Sequence, residues 1–181
     1  MVAKPSTKSG SFAISDSPPE SGPPGASPRS PQKSVKRPAS DKLRIGWREW
    51  VHLPELGGAT IKAKVDTGAR TSALHAWNIE IVTRNGVRFA RFDLHPLQRS
   101  DRQIVSCEAP LLDRRSIRNS GGEAQIRPVV RTLIRIGHLT WPIELSLTSR
   151  DEMGFRMLLG RTAVRGRFLV DPGRSFLASR D

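Results

Sequence analysis

Lys64-Val65-Asp66-Thr67-Gly68-Ala69-Arg70-Thr71-Ser72 is the stretch that decides how the rest of the chain reads, because an apolar strand pattern runs straight into an acid followed by a small, turn-forming pair. Gly68 permits backbone angles and close approaches that other residues resist, and the Thr67 hydroxyl can bond back to the chain. Backbone amides can therefore gather around the Asp66 carboxylate, and a carboxylate so held can do acid–base chemistry. Asp, Thr and Gly are also ordinary turn residues. The triplet alone leaves a plain turn open, and its surroundings have to decide.

Upstream, Leu43 to Leu53 reads as a half-buried strand in which Leu43, Ile45 and Trp47 alternate with Arg44, Gly46 and Arg48. Pro54 to Gly58 supplies a turn. Ala59 to Val65 is a second alternating strand with Ile61, Ala63 and Val65 on one face, so the two form a hairpin that delivers Asp66 at its exit. Downstream, a short strand is expected at Ser72 to Trp77, then Ile79 to Thr83 and Val87 to Leu94 across the hairpin dipeptide Asn85-Gly86. Gln103 to Cys107, Leu111 to Arg118, Ala124 to Ile136 and Leu139 to Leu147 continue the pattern, and Arg167 to Val170 ends it. Helical periodicity is confined to a turn or two at Gly160 to Val164. Short strands separated by turns point to an all-β barrel or sandwich.

The ordered part is expected to span residues 41–181. Residues 1–40 hold eight of the 14 prolines and ten serines, which cannot bury enough apolar surface to offset their ordering entropy. They read as a disordered basic tail. The whole chain of 181 residues carries 30 Lys and Arg against 17 Asp and Glu, a formal charge of +13. The basic residues are scattered instead of forming one block, which reads as a solvated surface rather than a nucleic-acid interface, although a basic RNA-associated binding module stays open as a rival reading. Trp47, Trp50, Trp77 and Trp141 read as core or barrel-edge aromatics, since no aromatic cluster interleaves with a basic run. The single cysteine, Cys107, excludes an intrachain disulfide and fits a reducing compartment. No run approaches the roughly 20 apolar residues of a membrane span, so the cytoplasm is the expected location.

Motifs for other chemistries are missing. The four histidines, His52, His75, His95 and His138, show no zinc-binding spacing, and there is no phosphate-cradling loop or nucleophile elbow. No metal and no cofactor are expected.

Val65-Asp66-Thr67-Gly68-Ala69 at a strand exit, followed by Met157-Leu158-Leu159-Gly160-Arg161, resembles the retropepsin-like aspartic proteases. The wider runs, Ile45 to Val51, Ile61 to Ala76, Arg127 to Val130 and Val170-Asp171-Pro172, are similar to the bacterial family labelled ATP-dependent zinc protease, over about residues 43 to 178. Nothing in the sequence supplies the ATP or zinc site of that label, though a zinc-dependent hydrolase remains the third reading.

The resemblance implies a retropepsin-like closed β-barrel, mainly strand with one short helix, acting as an aspartic endopeptidase on a peptide or protein substrate. It implies a homodimer, because peptide hydrolysis of this kind needs two carboxylates sharing one proton and one chain supplies one good copy. Asp66, Thr67 and Gly68 would form the catalytic turn, with Thr67 locking the two turns together. Asp171 is a poor second acid, since Pro172 lacks both the hydroxyl and the N–H. Asn119-Ser120-Gly121-Gly122 would be the flap over substrate, Ala69 and Arg70 would touch substrate, and Gly160 and Arg161 would serve structure or the dimer contact. Family members are associated with an enzyme that adds glutamates to a ribosomal protein, which makes such an enzyme an expected partner and an acidic substrate an expected target.

Overall fold

The computed structural model describes residues 42–97, 102–118, 121–149 and 154–179. The expected tail, Asn119 and Ser120 lie outside the described residues. The elements are β1 (Leu43–Gly46), β2 (Arg48–Leu53), β3 (Ala59–Asp66), β4 (Ser72–His75), β5 (Trp77–Arg84), β6 (Val87–Leu94), β7 (Val105–Arg118), β8 (Ala124–Ile136), β9 (Leu139–Thr148), β10 (Met157–Gly160), α1 (Arg161–Val164) and β11 (Phe168–Asp171).

Six strands in the order β2-β3-β10-β4-β9-β8 close into a barrel through the single β2–β8 pairing of His52 with Arg135. β7, β6 and β5 continue the sheet beyond β8 as an antiparallel extension, while β1 and β11 pair in parallel as a separate two-stranded sheet. The barrel interior is filled by the inward residues of the alternating strands, among them Val51, Leu53, Ile61, Ala63, Leu74, Val130, Ile134, Leu145, Leu147 and Leu159, all at most 1% exposed. Burial of this apolar set is the main force holding the closed form.

The strand expected from Leu43 to Leu53 is broken at Trp47. Glu49 causes the break: its Oε1 accepts the Gly46 amide at 2.7 Å and the Leu177 amide at 2.7 Å, and its Oε2 takes the Ser179 hydroxyl. The chain is thereby turned from its partner β11 to its partner β3. The C-terminal segment also lies along β2, with Trp47 N–H on the Arg174 carbonyl at 2.9 Å and Phe176 N–H on the Arg48 carbonyl at 2.9 Å.

A second difference lies at Ala109-Pro110, where two strands were expected and β7 runs through without a gap. The proline has no N–H to give, and it falls where β7 exchanges partners: Pro110 opposes Phe89 of β6, and Leu111 opposes Val130 of β8, with a bulge before Asp113. Beyond this point β8 has no strand on that side until β2. Glu55 fills the interval, accepting the Leu133 amide at 2.8 Å and the Thr132 hydroxyl at 3.2 Å.

Candidate active site

β3 and β4 are the two arms of the loop that carries Asp66, and β10 is wedged between them. It runs parallel to β3, with Gly160 opposite Asp66, and antiparallel to β4, with Met157 opposite Leu74. Neighbouring loops in a sheet of consecutive hairpins would not be tied this way. Here the Asp66 loop is braced by residues 94 positions later in the chain.

Within the loop, the Gly68 and Ala69 amides both donate to Asp66 Oδ1 at 3.0 Å. Asp66 Oδ2 accepts no hydrogen bond among the described residues. The loop's carbonyls are held by the two residues after Gly160: the Arg161 amide donates to Ala69 at 2.7 Å, Arg161 Nη1 donates to Thr67 at 3.0 Å, and the Thr162 hydroxyl donates to Arg70 at 2.8 Å. Ser72 closes the far side, its Oγ accepting the Gly160 amide at 3.1 Å and its carbonyl accepting the Ser146 hydroxyl at 3.0 Å. Gly160 is required by space, since a Cβ there would lie 2.5 Å from the Thr71 carbonyl carbon and 2.9 Å from the Arg70 oxygen.

Asp66, Thr67, Gly68, Ala69, Arg70, Gly160 and Arg161 are thus gathered in one hydrogen-bonded unit. Gly121 and Gly122 stand elsewhere, in the turn of the long β7–β8 hairpin, where Gly122 has φ +85°. The lower part of that hairpin reaches the loop: Arg115, Ser116 and Ile117 line a cleft of about 750 Å3 together with Arg70, Thr71 and Arg167. Arg115 is committed to Asp113 and Glu144, and those carboxylates, Glu144 foremost, raise its pKa further. Asp171 ends β11 in the two-stranded sheet, opposite Gly46, with its Oδ1 on the Gly173 amide at 2.9 Å.

Two contributors had no role in the sequence reading. Ser72 and Thr162 look like ordinary strand and helix-start residues, and their functions depend on β10 lying between β3 and β4. Among the described residues no group of three His, Cys, Asp or Glu side chains could hold a metal ion, so these residues do not fit the zinc of the resembling family's label. No helix among them is long and apolar enough to cross a membrane.

The barrel, the braced Asp-Thr-Gly loop and the Leu-Leu-Gly-Arg run all lie within a region that one family model matches. The model described as retropepsin-like aspartic endopeptidase RimB (RimB-like) matches residues 44–181. The chain belongs to this RimB-like family. Similar proteins include two named probable alpha-L-glutamate ligase, from Shewanella pealeana and Desulfotalea psychrophila. Both are 48% identical, over 138 and 131 residues, which are 76% and 72% of this chain. The matched segment covers about 30% of the Shewanella pealeana protein and 28% of the Desulfotalea psychrophila protein, so this RimB-like chain spans less than a third of those relatives. The crystal structure of a Legionella pneumophila protein with unknown function (DUF785) is similar at 28% identity and a TM-score of 0.63, covering 75% of this chain and 98% of that one.

Proposed function

We propose that this chain is an aspartic endopeptidase whose active site is completed by a second copy, with Asp66 and its partner's Asp66 sharing one proton. The observation that carries the reading is the state of the Asp66 carboxylate: one oxygen fixed by two amides, the other without a donor, on a loop braced from both sides. Membership of a family described as retropepsin-like aspartic endopeptidases supports it.

Two carboxylates a few ångströms apart cannot both ionise cheaply, so in this reading the pair holds a single proton. The ionised member takes a proton from a water, whose oxygen attacks the peptide carbonyl. The protonated member gives its proton to the carbonyl oxygen, forming a neutral tetrahedral diol. Collapse breaks the C–N bond: the amine nitrogen takes the proton held by the carboxylate that activated the water, the ionised carboxylate takes a proton from a diol hydroxyl, and an acid, an amine and a singly protonated dyad result. In this reading Thr67 ties the two loops together, the β7–β8 hairpin covers substrate, and Gly68 leaves room for the peptide. Arg70 and Arg167 on the cleft wall favour a peptide with acidic side chains. The ligase names of its relatives support a target that carries added glutamates, handled alongside the enzyme that adds them.

The test is Asp66→Asn. The variant should fold with an unchanged circular dichroism spectrum and lose at least about a thousandfold in kcat/KM on a glutamate-bearing peptide, the order expected when an essential acid–base group is removed. Cleavage at the wild-type rate would sink the reading. So would activity that survives in a species shown by sedimentation to be strictly monomeric.

A further inference from the structure

The outer face of the β2–β3 hairpin carries an arrangement that the Asp66 chemistry does not use. Its outward positions are Arg48, Trp50 and His52 on β2, paired with Lys64, Lys62 and Thr60 on β3. No acid stands on this face before Asp66, which is turned onto its own loop amides. Of the two carboxylates between Arg48 and Lys64 in sequence, Glu49 is buried and taken up by backbone amides, and Glu55 accepts the Leu133 amide and the Thr132 hydroxyl. Among the described residues Arg48, Lys62 and Lys64 make no ion pair.

Around these cations four aromatic rings close a circuit. Trp50 stacks on Phe176 at 5.9 Å, and Trp47 meets Phe155 edge-on at 5.8 Å. Arg48 bridges Trp47 and Phe176, at 4.6 and 5.2 Å from their centroids, and Lys62 bridges Trp50 and Phe155, at 5.9 Å from each. Basic and aromatic side chains that do not alternate along the sequence therefore alternate in space. Two features separate this patch from ordinary surface packing. Trp50 stays 42% exposed, and Phe176 is held at φ +56°, a strained angle for a bulky residue that keeps its ring against Trp50. Lys62 lies at the outer limit of cation–π attraction for both rings, so its ammonium is free to leave them for a stronger anion.

We infer that this face binds single-stranded nucleic acid. Bases would stack on Trp50 and its neighbours, and Arg48, Lys62 and Lys64 would pair with the phosphates, in line with the chain's formal charge of +13. Stacking on aromatic faces is indifferent to base identity, so binding would be sequence-tolerant and dependent on salt.

Fluorescence anisotropy of the full chain with labelled U12 and dT12 oligonucleotides, titrated from low to moderate salt, tests this and compares RNA with DNA. Three phosphate contacts predict a log–log salt slope of about −2, and Lys62→Ala/Lys64→Ala should reduce it to about −0.7. Trp50→Ala should weaken binding about tenfold and Trp50→Phe much less, because the stacking face is retained. Asp66→Asn should bind as wild type. Three results would each overturn the inference: affinity untouched by both the Trp50 and the lysine variants; displacement by an oligoglutamate peptide as effective as by oligonucleotide, which marks a general polyanion surface; or Trp50→Ala dissociating a dimer in sedimentation velocity while oligonucleotide affinity is unchanged.

Discussion

Gly160 packs against Thr71 with no room for a side chain: any Cβ at 160 would lie 2.5 Å from the Thr71 carbonyl carbon. The contact fixes the spacing between β10 and the loop that holds Asp66, because backbone on both sides leaves nothing flexible to yield. Gly160→Ala should therefore lower stability by about 2–3 kcal/mol through overpacking. Urea denaturation measures the loss. On the endopeptidase reading, peptide cleavage should fall by more than the folded fraction explains, since the strain is released into the Asp66 loop.

Arg161 acts through the Thr67 carbonyl, to which its Nη1 donates at 3.0 Å. The bond is exposed, so Arg161→Ala should cost only about 0.5–1 kcal/mol of stability. On the endopeptidase reading, kcat should drop about ten- to a hundredfold with little change in KM, because a small displacement of the loop misplaces the carboxylate more than it weakens substrate contact. Arg161→Lys should recover little, since an ammonium lacks the planar fork. A fall in kcat no larger than the loss of folded protein would show that Arg161 is structural alone.

Glu49 is 0% exposed and accepts backbone amides from Gly46, Leu177 and Ala178, together with the Ser179 hydroxyl. Glu49→Gln keeps one oxygen for the three amides but removes the negative charge they surround and replaces the oxygen that takes the Ser179 hydroxyl with an NH2. A loss of about 1.5–2 kcal/mol is expected, the order of a hydrogen bond to a charged group. Limited proteolysis should then cut within residues 174–179 well before the barrel opens, whereas wild type resists at both places.

Asp93 supplies a pH signature. The Asn78 side-chain amide at 2.8 Å and the Ser106 hydroxyl at 2.7 Å hold its carboxyl below the usual range. A depressed folded-state pKa contributes stability above the unfolded value of about 3.9, lost as pH falls through the lower folded value. Ser106→Ala should thus lower the urea midpoint at pH 7. The gap from wild type should stay level down to about pH 5 and close below about pH 4. A gap that widens in acid would reverse the assignment.

Local pattern carried much of this structure. The alternation of Ile61, Ala63 and Val65 placed β3 and its exit, and Asn85-Gly86 marked its hairpin because both residues sit at positive φ, 50° and 77°, which that dipeptide tolerates. Glu49 was also legible in principle, as an acid in register with Ile45, Val51 and Leu53 on an apolar face, the mark of a buried carboxylate that must find donors. What local pattern could not carry was partnership. Nothing around Met157 to Gly160 says that this strand enters between β3 and β4, since that pairing is decided by which edges the rest of the barrel leaves open. The roles of Ser72 and Thr162 were hidden with it. The aromatic circuit escaped for the same reason, with Phe155 and Phe176 more than a hundred residues from Trp47 and Trp50 in sequence. Pro110, a breaker by local rules, is harmless because it falls at the exchange of partners.

The wedging of β10 between the arms of the Asp66 loop also orders events during synthesis. Asp66 leaves the ribosome before the residues that brace it, Gly160, Arg161 and Thr162, which are made close to a hundred positions later. A nascent chain stalled or cut before Met157 holds the carboxylate on a loop with one wall missing. Contacts so distant in sequence form late and slowly, so the loop stays unbraced until nearly all of the barrel has been made. On the endopeptidase reading, that delay keeps the carboxylate from its working geometry until the barrel around it is complete.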